Sequence, residues 1–428
     1  MENNRLQIGI AGSGVAGLVI GLELQRTGHA VSIYEARSRS GGRIKSILLD
    51  GMLVECGPEF IHGELKETIG LLNRYKIPFV PIDGKMYRSV KGKLSETFEI
   101  AEGWNELLLK MKSIPTDMPF QEFLENYFPE NRFSELRHSA VQFAEGFDLA
   151  DTKTCSTKAL IHEWEGEEGQ QYRIPSGYGT LIRTIENEFL KLGGKIYFNH
   201  PVESIHWGND KVSIYCNNKI KIELDKLVVC LPLSAFSDEE STTDYPVFIP
   251  AIPRKKAAMN EIGFGTVIKI VMVWDKPFWK SEVPDAQFIL SEEFIPTWWT
   301  QYPLDLPMLT GWLGGPKALD FAHESDDFFR EKAFESLASL FSMNIEKIKN
   351  GVKECHVFNW KKSRWSKGAY SYAKVGYRTT KEAAKKTLND RIYFSGEAYY
   401  EGPFPGTVEA AVADALNTVD EIKRSSQI

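Results

Sequence analysis

Three groups of residues in this 428-residue sequence have the types and spacing to do chemistry. The first is Gly12-Ser13-Gly14-Val15-Ala16-Gly17, with an apolar strand-like run (Leu6 to Ala11) before it and a helix-like run to about Gly28 after it. Gly12 allows a tight turn, Gly14 lets the backbone approach a pyrophosphate, and Gly17 lets the helix pack on the strand. The helix N-terminus then faces the diphosphate. Glu35 ends a second strand (Ala30 to Glu35), 23 residues beyond Gly12, where a carboxylate would take a ribose hydroxyl. This is a dinucleotide site; its spacing does not choose between NAD and FAD. The second group is Arg39-Ser40-Gly41-Gly42-Arg43, two arginines around a glycine pair that can add charge-assisted contacts to phosphate. The third is Lys269, alone in the apolar run Gly265 to Val271. Lysine is rarely buried without purpose, but the pattern alone reads as a lysine on an exposed strand face.

The elements that must position these groups follow from periodicity. The two N-terminal strands and their helix form a βαβ unit, which a right-handed crossover makes parallel. Leu65 to Tyr75 is helical, and residues 115 to 165 form a helical insertion with Pro breaks. Lys195 to Phe198, Val202 to Trp207, Lys211 to Tyr215 and Lys226 to Leu231 are strand-like, with a turn at Gly208-Asn209-Asp210. Gly263 to Trp274 is β-rich, Phe328 to Met343 is an amphipathic helix, Arg391 to Glu397 is a strand running into a Gly turn, and Thr407 to Ile422 is a closing helix. There is no internal repeat, and the acidic stretch Glu163 to Glu168 reads as a solvated loop.

Composition sets the outer bounds. The length fits two or three domains, with ample chain for a core. The chain is 43% hydrophobic and 25% charged, which excludes a disordered or fibrous protein. Against 58 Asp and Glu stand 51 Lys and Arg, a net charge of -7 that argues against nucleic acid. Cys56, Cys155, Cys216, Cys230 and Cys355 are scattered, with neither a CxxC nor a zinc pattern, as suits a reducing compartment. No metal site is expected. With no run of ~18 apolar residues, no room for a signal peptide and a polar C-terminus, the expectation is a soluble cytoplasmic protein.

The Arg39 to Arg43 segment resembles the RxGGR motif of the FAD-dependent amine oxidase superfamily, and further motifs follow in order from residue 5 to 422. Glu55 to Gly63 is similar to the family's E-x-G-A-x-W-x-H-G segment beside the isoalloxazine ring. Arg173 to Gly179 resembles its G-G-x-x-x-L approach to a helix. Pro201 to Ile205 resembles the strand whose Val backbone holds the adenine, Phe394 to Glu397 the F-A-G-E motif, and Pro405 to Ala411 the P-A-T-V-x-G-A helix start under the flavin pyrimidine. The resemblance implies that FAD is held by Gly12, Gly14, Ala16, Gly17, Glu35, Ala36, Arg37, Gly42, Arg43, Gly57, Pro58, Glu59, Phe60, Val202, Gly396, Glu397, Gly406, Thr407 and Val408.

The same resemblance implies the redox site. Lys269 matches the lysine that bonds to flavin N5 through a water. Ala369 stands where monoamine oxidases carry a cysteine joined to FAD, so the cofactor should be non-covalent. Tyr370 matches a cage tyrosine, and Thr407 stands at the second cage position, as in histone lysine demethylases and some polyamine oxidases. His62 sits where polyamine oxidases have an active-site histidine, which can accept a hydrogen bond from an amine; a satisfied structural histidine is the alternative. Trp360 and Trp365 resemble tryptophans near the substrate channel, with core packing the equal alternative, and Trp298 and Trp299 could line a pocket.

The implied fold is α/β with two intertwined domains. A Rossmann-type FAD domain would take residues 1–80, 175–245 and 370–428, and a substrate domain of mixed sheet plus helices residues 81–174 and 246–369. The implied activity is oxidation of a primary or secondary amine (a polyamine, an amino acid or an alkaloid-like amine), with oxygen as acceptor. The alternative within the fold is a desaturase or protoporphyrinogen-type oxidase. An NAD-dependent dehydrogenase and a flavoprotein without turnover are the other classes.

Overall fold

The computed structural model describes residues 5–166, 169–208, 210–216, 220–237 and 245–425. Asn209 of the expected turn, Glu167 and Glu168 of the acidic stretch, and both chain termini lie outside them.

The dinucleotide turn is built on a five-stranded parallel sheet ordered Lys195–Tyr197, Ala30–Tyr34, Gln7–Ala11, Lys226–Val229, Ile392–Phe394. Helices Val15–Arg26, Tyr178–Lys191 and Val408–Ser425 cover one face. The last buries Val408, Ala411, Val412, Ala415, Val419 and Ile422, the three-and-four spacing of a helix with one apolar stripe. The other face packs on a four-stranded sheet ordered Ile220–Leu224, Val212–Cys216, Val202–Trp207, Val247–Ile249.

A mixed seven-stranded sheet forms the second body, ordered Val352–Asn359, Val267–Trp274, Met308–Gly314, Thr297–Thr300, Ala286–Leu290, Lys85–Val90, Lys93–Thr97. Its strand Val267–Trp274 is buried along its whole length. Ile268, Ile270, Met272 and Trp274 face the helix Asp326–Leu340. Val267, Val271 and Val273, on the same side as Lys269, face the opposite way. Neighbouring strands cover both edges, so Lys269 is a core residue at 1% exposure, which corrects its reading as an exposed-face lysine.

Helices Trp104–Ser113, Phe120–Tyr127, Ser134–Gly146 and Thr157–Gly166 form the helical insertion around their own core, starting earlier than expected; the last takes in residues 163–166 of the acidic stretch and buries Glu163 and Trp164, which corrects the reading of that part as a solvated loop. A three-stranded sheet, Phe60–His62, Gln171–Arg173 and Val80–Ile82, joins it to the rest. The helix expected from Phe328 begins at Asp326, because Ser325 Oγ accepts the Phe328 N–H at 3.2 Å and caps it. Among the described residues no helix is long and apolar enough to cross a membrane.

Candidate active site

The glycine turn follows the strand Gln7–Ala11, with the Gly12 N–H bonded to Tyr34 O at 2.9 Å. A Cβ at Gly17 would lie 2.0 Å from Gly12 O, so this glycine is required by packing of the helix on the turn. A Cβ at Gly14 would meet nothing within 4 Å: its Cα faces an open cavity. Glu35 is buried beside it. Its Oε2 accepts from Ser13 N (2.8 Å) and Ser13 Oγ (2.9 Å), and its Oε1 from Arg37 N (2.8 Å). The Arg39–Arg43 loop docks on the turn through Gly41 N to Ser13 O at 2.8 Å.

The two arginines of that loop have separate tasks. Arg39 donates to the carbonyls of Ser40, Gly42 and Ile44, which folds the loop on itself, and it does not line the cavity. The expected phosphate contact is not seen for Arg39: three of its donors close the loop instead. Arg43 lines the cavity and reaches the C-terminal segment, donating to Glu397 Oε1 at 2.7 Å and Ala369 O at 2.5 Å. Glu397 in turn accepts Ser371 Oγ at 2.6 Å. Asp414 holds the Gly396 turn through Ser395 Oγ (2.8 Å) and Gly396 N (3.0 Å). Segments some 350 residues apart thus meet on one wall.

One continuous cavity of about 840 Å³ runs from Gly12, Gly14 and Glu35, past Val202, Gly42, Gly396 and Gly406, to His62, Phe147, Phe288, Trp299 and Trp312. That size is in the range of ligand pockets. An open glycine turn at a helix N-terminus, a buried carboxylate beside it and a cavity long enough to continue into an aromatic chamber fit a flavin dinucleotide.

Aromatic rings wall the far chamber. Phe60 lies 5.5 Å from both Phe288 and Trp299, His62 meets Phe147 edge-on at 5.3 Å, and Trp312 lies 5.6 Å from Trp299. Tyr370 donates its hydroxyl to Phe147 O, which fixes its ring. Thr407 caps the closing helix: its Oγ1 accepts Ala410 N at 3.1 Å and donates to Phe404 O at 2.7 Å. Trp360 donates to Cys56 O at 2.9 Å. His62 Nδ1 is buried without a hydrogen-bond partner among the described residues, and burial pushes its imidazolium down to about 4, so the ring is neutral at physiological pH.

Lys269 lies behind this wall. Its Nζ donates to Glu59 Oε2 at 2.7 Å and Gly57 O at 3.2 Å, and it is Glu59 that lines the cavity. Glu59 Oε1 also accepts Arg173 Nη1 at 2.5 Å and Gln301 Nε2 at 2.9 Å. Burial alone would raise the Glu59 carboxyl, but Lys269 and Arg173 outweigh it and hold it down, at about 2.

The cavity brings together Gly12, Gly14, Ala16, Glu35, Ala36, Arg37, Gly42, Arg43, Gly57, Pro58, Glu59, Phe60, His62, Val202, Trp360, Trp365, Tyr370, Gly396, Glu397, Gly406, Thr407 and Val408. Gly17 and Lys269 stand behind its wall, as does Trp298, whereas Trp299 lines it. Sequence reasoning did not assign Arg173, Gln301, Phe147, Phe288 and Trp312. Arg173 sits in a motif already quoted, directly before Ile174-Pro175; the others had no local signal.

A dinucleotide turn that opens into an aromatic-walled chamber defines a cofactor-dependent oxidoreductase. Residues 15–423 match the family of flavin containing amine oxidoreductases, and the chain belongs to it. Its cofactor is therefore a flavin, and the dinucleotide turn makes that flavin FAD. Polyamine oxidase 2 of Arabidopsis thaliana is 24% identical over 99% of this chain and 89% of that protein. Lysine-specific histone demethylase 1 homolog 2 of Oryza sativa subsp. japonica is 23% identical over 98% of this chain; the chain spans only 57% of that protein's length. Wild-type putrescine oxidase bound to putrescine has the same fold, with a TM-score of 0.82 at 18% identity over 98% of this chain and 99% of that one.

Proposed function

We propose that this protein oxidises a primary or secondary amine, with a diamine or polyamine preferred, on FAD held without a covalent bond. The observation that carries this reading is the single cavity joining the Glu35 turn to the aromatic chamber. When bound, FAD supplies the hydride acceptor for the carbon next to nitrogen and passes the electrons to oxygen, giving hydrogen peroxide.

The chain's own residues bind, orient and exclude water. Glu35 takes the ribose, and the turn at Gly14 takes the diphosphate. The aromatic faces of Phe60, Trp299, Trp312 and Tyr370 confine an uncharged amine, and the neutral His62 accepts a hydrogen bond from its N–H. Glu145, Glu163, Glu292 and Glu293 also line the cavity, which supports a substrate with a second, charged amine held away from the reacting one. Residues 1–80, 175–245 and 370–428 form the FAD domain in this reading, and 81–174 and 246–369 the substrate domain, with one correction to the expected boundary: Val247–Ile249 pairs with Val202–Trp207, and Phe248, Ile252, Met259 and Ile262 pack in the FAD-side core, so residues 247–262 go with the FAD domain. The scattered thiols, all free, support a cytoplasmic setting.

The test is an anaerobic screen of the flavin spectrum against diamines, polyamines, monoamines, amino acids and NAD(P)H. Bleaching by diamines or polyamines at the lowest concentrations is the expected result. Bleaching by NAD(P)H alone, or by none of these, overturns the proposal.

A further inference from the structure

The redox chamber is walled by aromatic rings, and two cations stand immediately behind them. Lys269 Nζ lies 5.3 Å from the centroid of Trp299, and the Arg173 guanidinium 4.9 Å from that of Phe60. Both rings line the cavity. The two cations share one carboxylate, Glu59, at 2.7 and 2.5 Å. The three side chains are 1%, 4% and 6% exposed, for Lys269, Arg173 and Glu59 in turn. The remaining polar neighbours, Gln301, Thr300 O and Gly57 O, are neutral. Two positive charges and one negative leave a surplus of +1 in a buried region that bulk water and salt screen far less than the surface. The next titratable group, Glu55, is pushed up to about 7 by burial, so at pH 6 it is mostly protonated and leaves the surplus in place.

We propose that Arg173, Glu59 and Lys269 act as one buried charge unit of net +1 that sets the redox poise of the flavin, with Glu59 as the positioning residue that trims and aims it. The proposal rests on the proposed function, with the flavin ring beside the Glu55 to Gly63 segment, as the family resemblance implies. A fixed positive charge beside a cofactor stabilises the negative charge that reduction adds. Delivered through Trp299 and Phe60, it acts without a contact from either cation to the cofactor. The same field disfavours an ammonium in the chamber and favours the free amine, the form that can donate a hydride. Buried ion pairs are weak sources of stability, so a cluster of this composition is better explained by its field.

The experiment is the midpoint potential of the FAD-loaded protein at pH 6, read against reference dyes with a chemical reductant. Glu59→Gln takes the unit from +1 to +2 and raises the potential. Lys269→Met and Arg173→Gln each take it to zero and lower the potential. Arg173→Lys keeps the charge and stays with the parent. Each unit of charge is expected to move the equilibrium constant for two-electron reduction about tenfold, about 30 mV. A purely structural cluster would move all three charge-changing variants in one direction; that result, or no shift in any of them, overturns the proposal. Lys269→Met and Arg173→Gln make the same charge change, so either suffices if the other loses its FAD. If both do, Glu59→Gln against Arg173→Lys carries the test alone: a raised potential supports the unit, and a lowered or unchanged one overturns it. No amine enters the measurement, so its outcome is separate from that of the substrate screen.

Discussion

The Nζ of Lys269 stands 2.7 Å from Glu59 Oε2, and the carboxylate faces the cavity while the ammonium does not. A lysine with an ion-pair partner in front of it differs from one that reaches the cofactor directly. Any effect of changing Lys269 therefore includes the fate of Glu59, which would keep only Arg173 and Gln301.

Gly14 and Gly17 should separate binding from folding. Gly14→Ala places a methyl where the chain has nothing within 4 Å, so the variant should fold with the parent's circular dichroism and lose FAD occupancy. Gly17→Ala drives a methyl to 2.0 Å from Gly12 O and should cost about 1–3 kcal/mol of stability. Thermal melts and the flavin-to-protein absorbance ratio read both. An FAD-replete Gly14→Ala protein would remove the turn from the cofactor site.

Glu35→Ala should weaken FAD retention about 10- to 100-fold, the worth of about 1.5–3 kcal/mol for hydrogen bonds to a charged group. It also frees Ser13 and the Arg37 N–H, which Glu35 now holds. Dialysis followed by flavin fluorescence measures the loss. The parent protein, precipitated in acid, should release all its FAD into the supernatant, since Ala369 offers no side chain to link it.

His62 carries a pH signature. Its folded-state value, about 4, lies below the unfolded 6.5. As pH falls through that window the unfolded chain gains a proton that the native ring refuses, so native stability is lost toward acid. His62→Gln lacks this loss. The difference in melting temperature between variant and parent should move in the variant's favour from about pH 7 to about pH 5. A difference that is constant with pH would show that the ring is solvated.

Asp148 carries the opposite one. Burial pushes its carboxyl up to about 7, against the pull of the Trp164 Nε1–H, which it accepts at 2.9 Å, and of Glu163. Above its unfolded value of 3.8 the unfolded chain ionises while the native group stays protonated, so stability falls as pH rises toward 7. Asp148→Asn stays neutral and keeps an acceptor for Trp164. Its advantage in melting temperature over the parent should grow from about pH 4 to about pH 7 and then level off. An advantage that shrinks over that range would contradict the assignment.

What the sequence determined by itself was whatever chemistry is local. The Gly12–Gly17 turn, its flanking strands, the carboxylate of Glu35 and the helix from Val408 all rest on near-neighbour rules: a turn that only glycine permits, and apolar residues at a period of two or near 3.6. The tertiary structure decided what depends on approach between distant segments. The hairpin Lys85–Val90 and Lys93–Thr97 has too few buried positions to announce itself, and becomes part of a sheet only because Ala286–Leu290 lies beside it. Lys269 carried a local signal, but its partner did not: whether Glu59 faces water, FAD or a lysine 210 residues away is set by how the segment ahead of Phe60–His62 meets the strand Val267–Trp274. Arg173, on a third element, then turns a simple ion pair into a cluster with charge to spare. Electrostatics of this kind follows from distance in space and burial, and neither is written in the order of the residues.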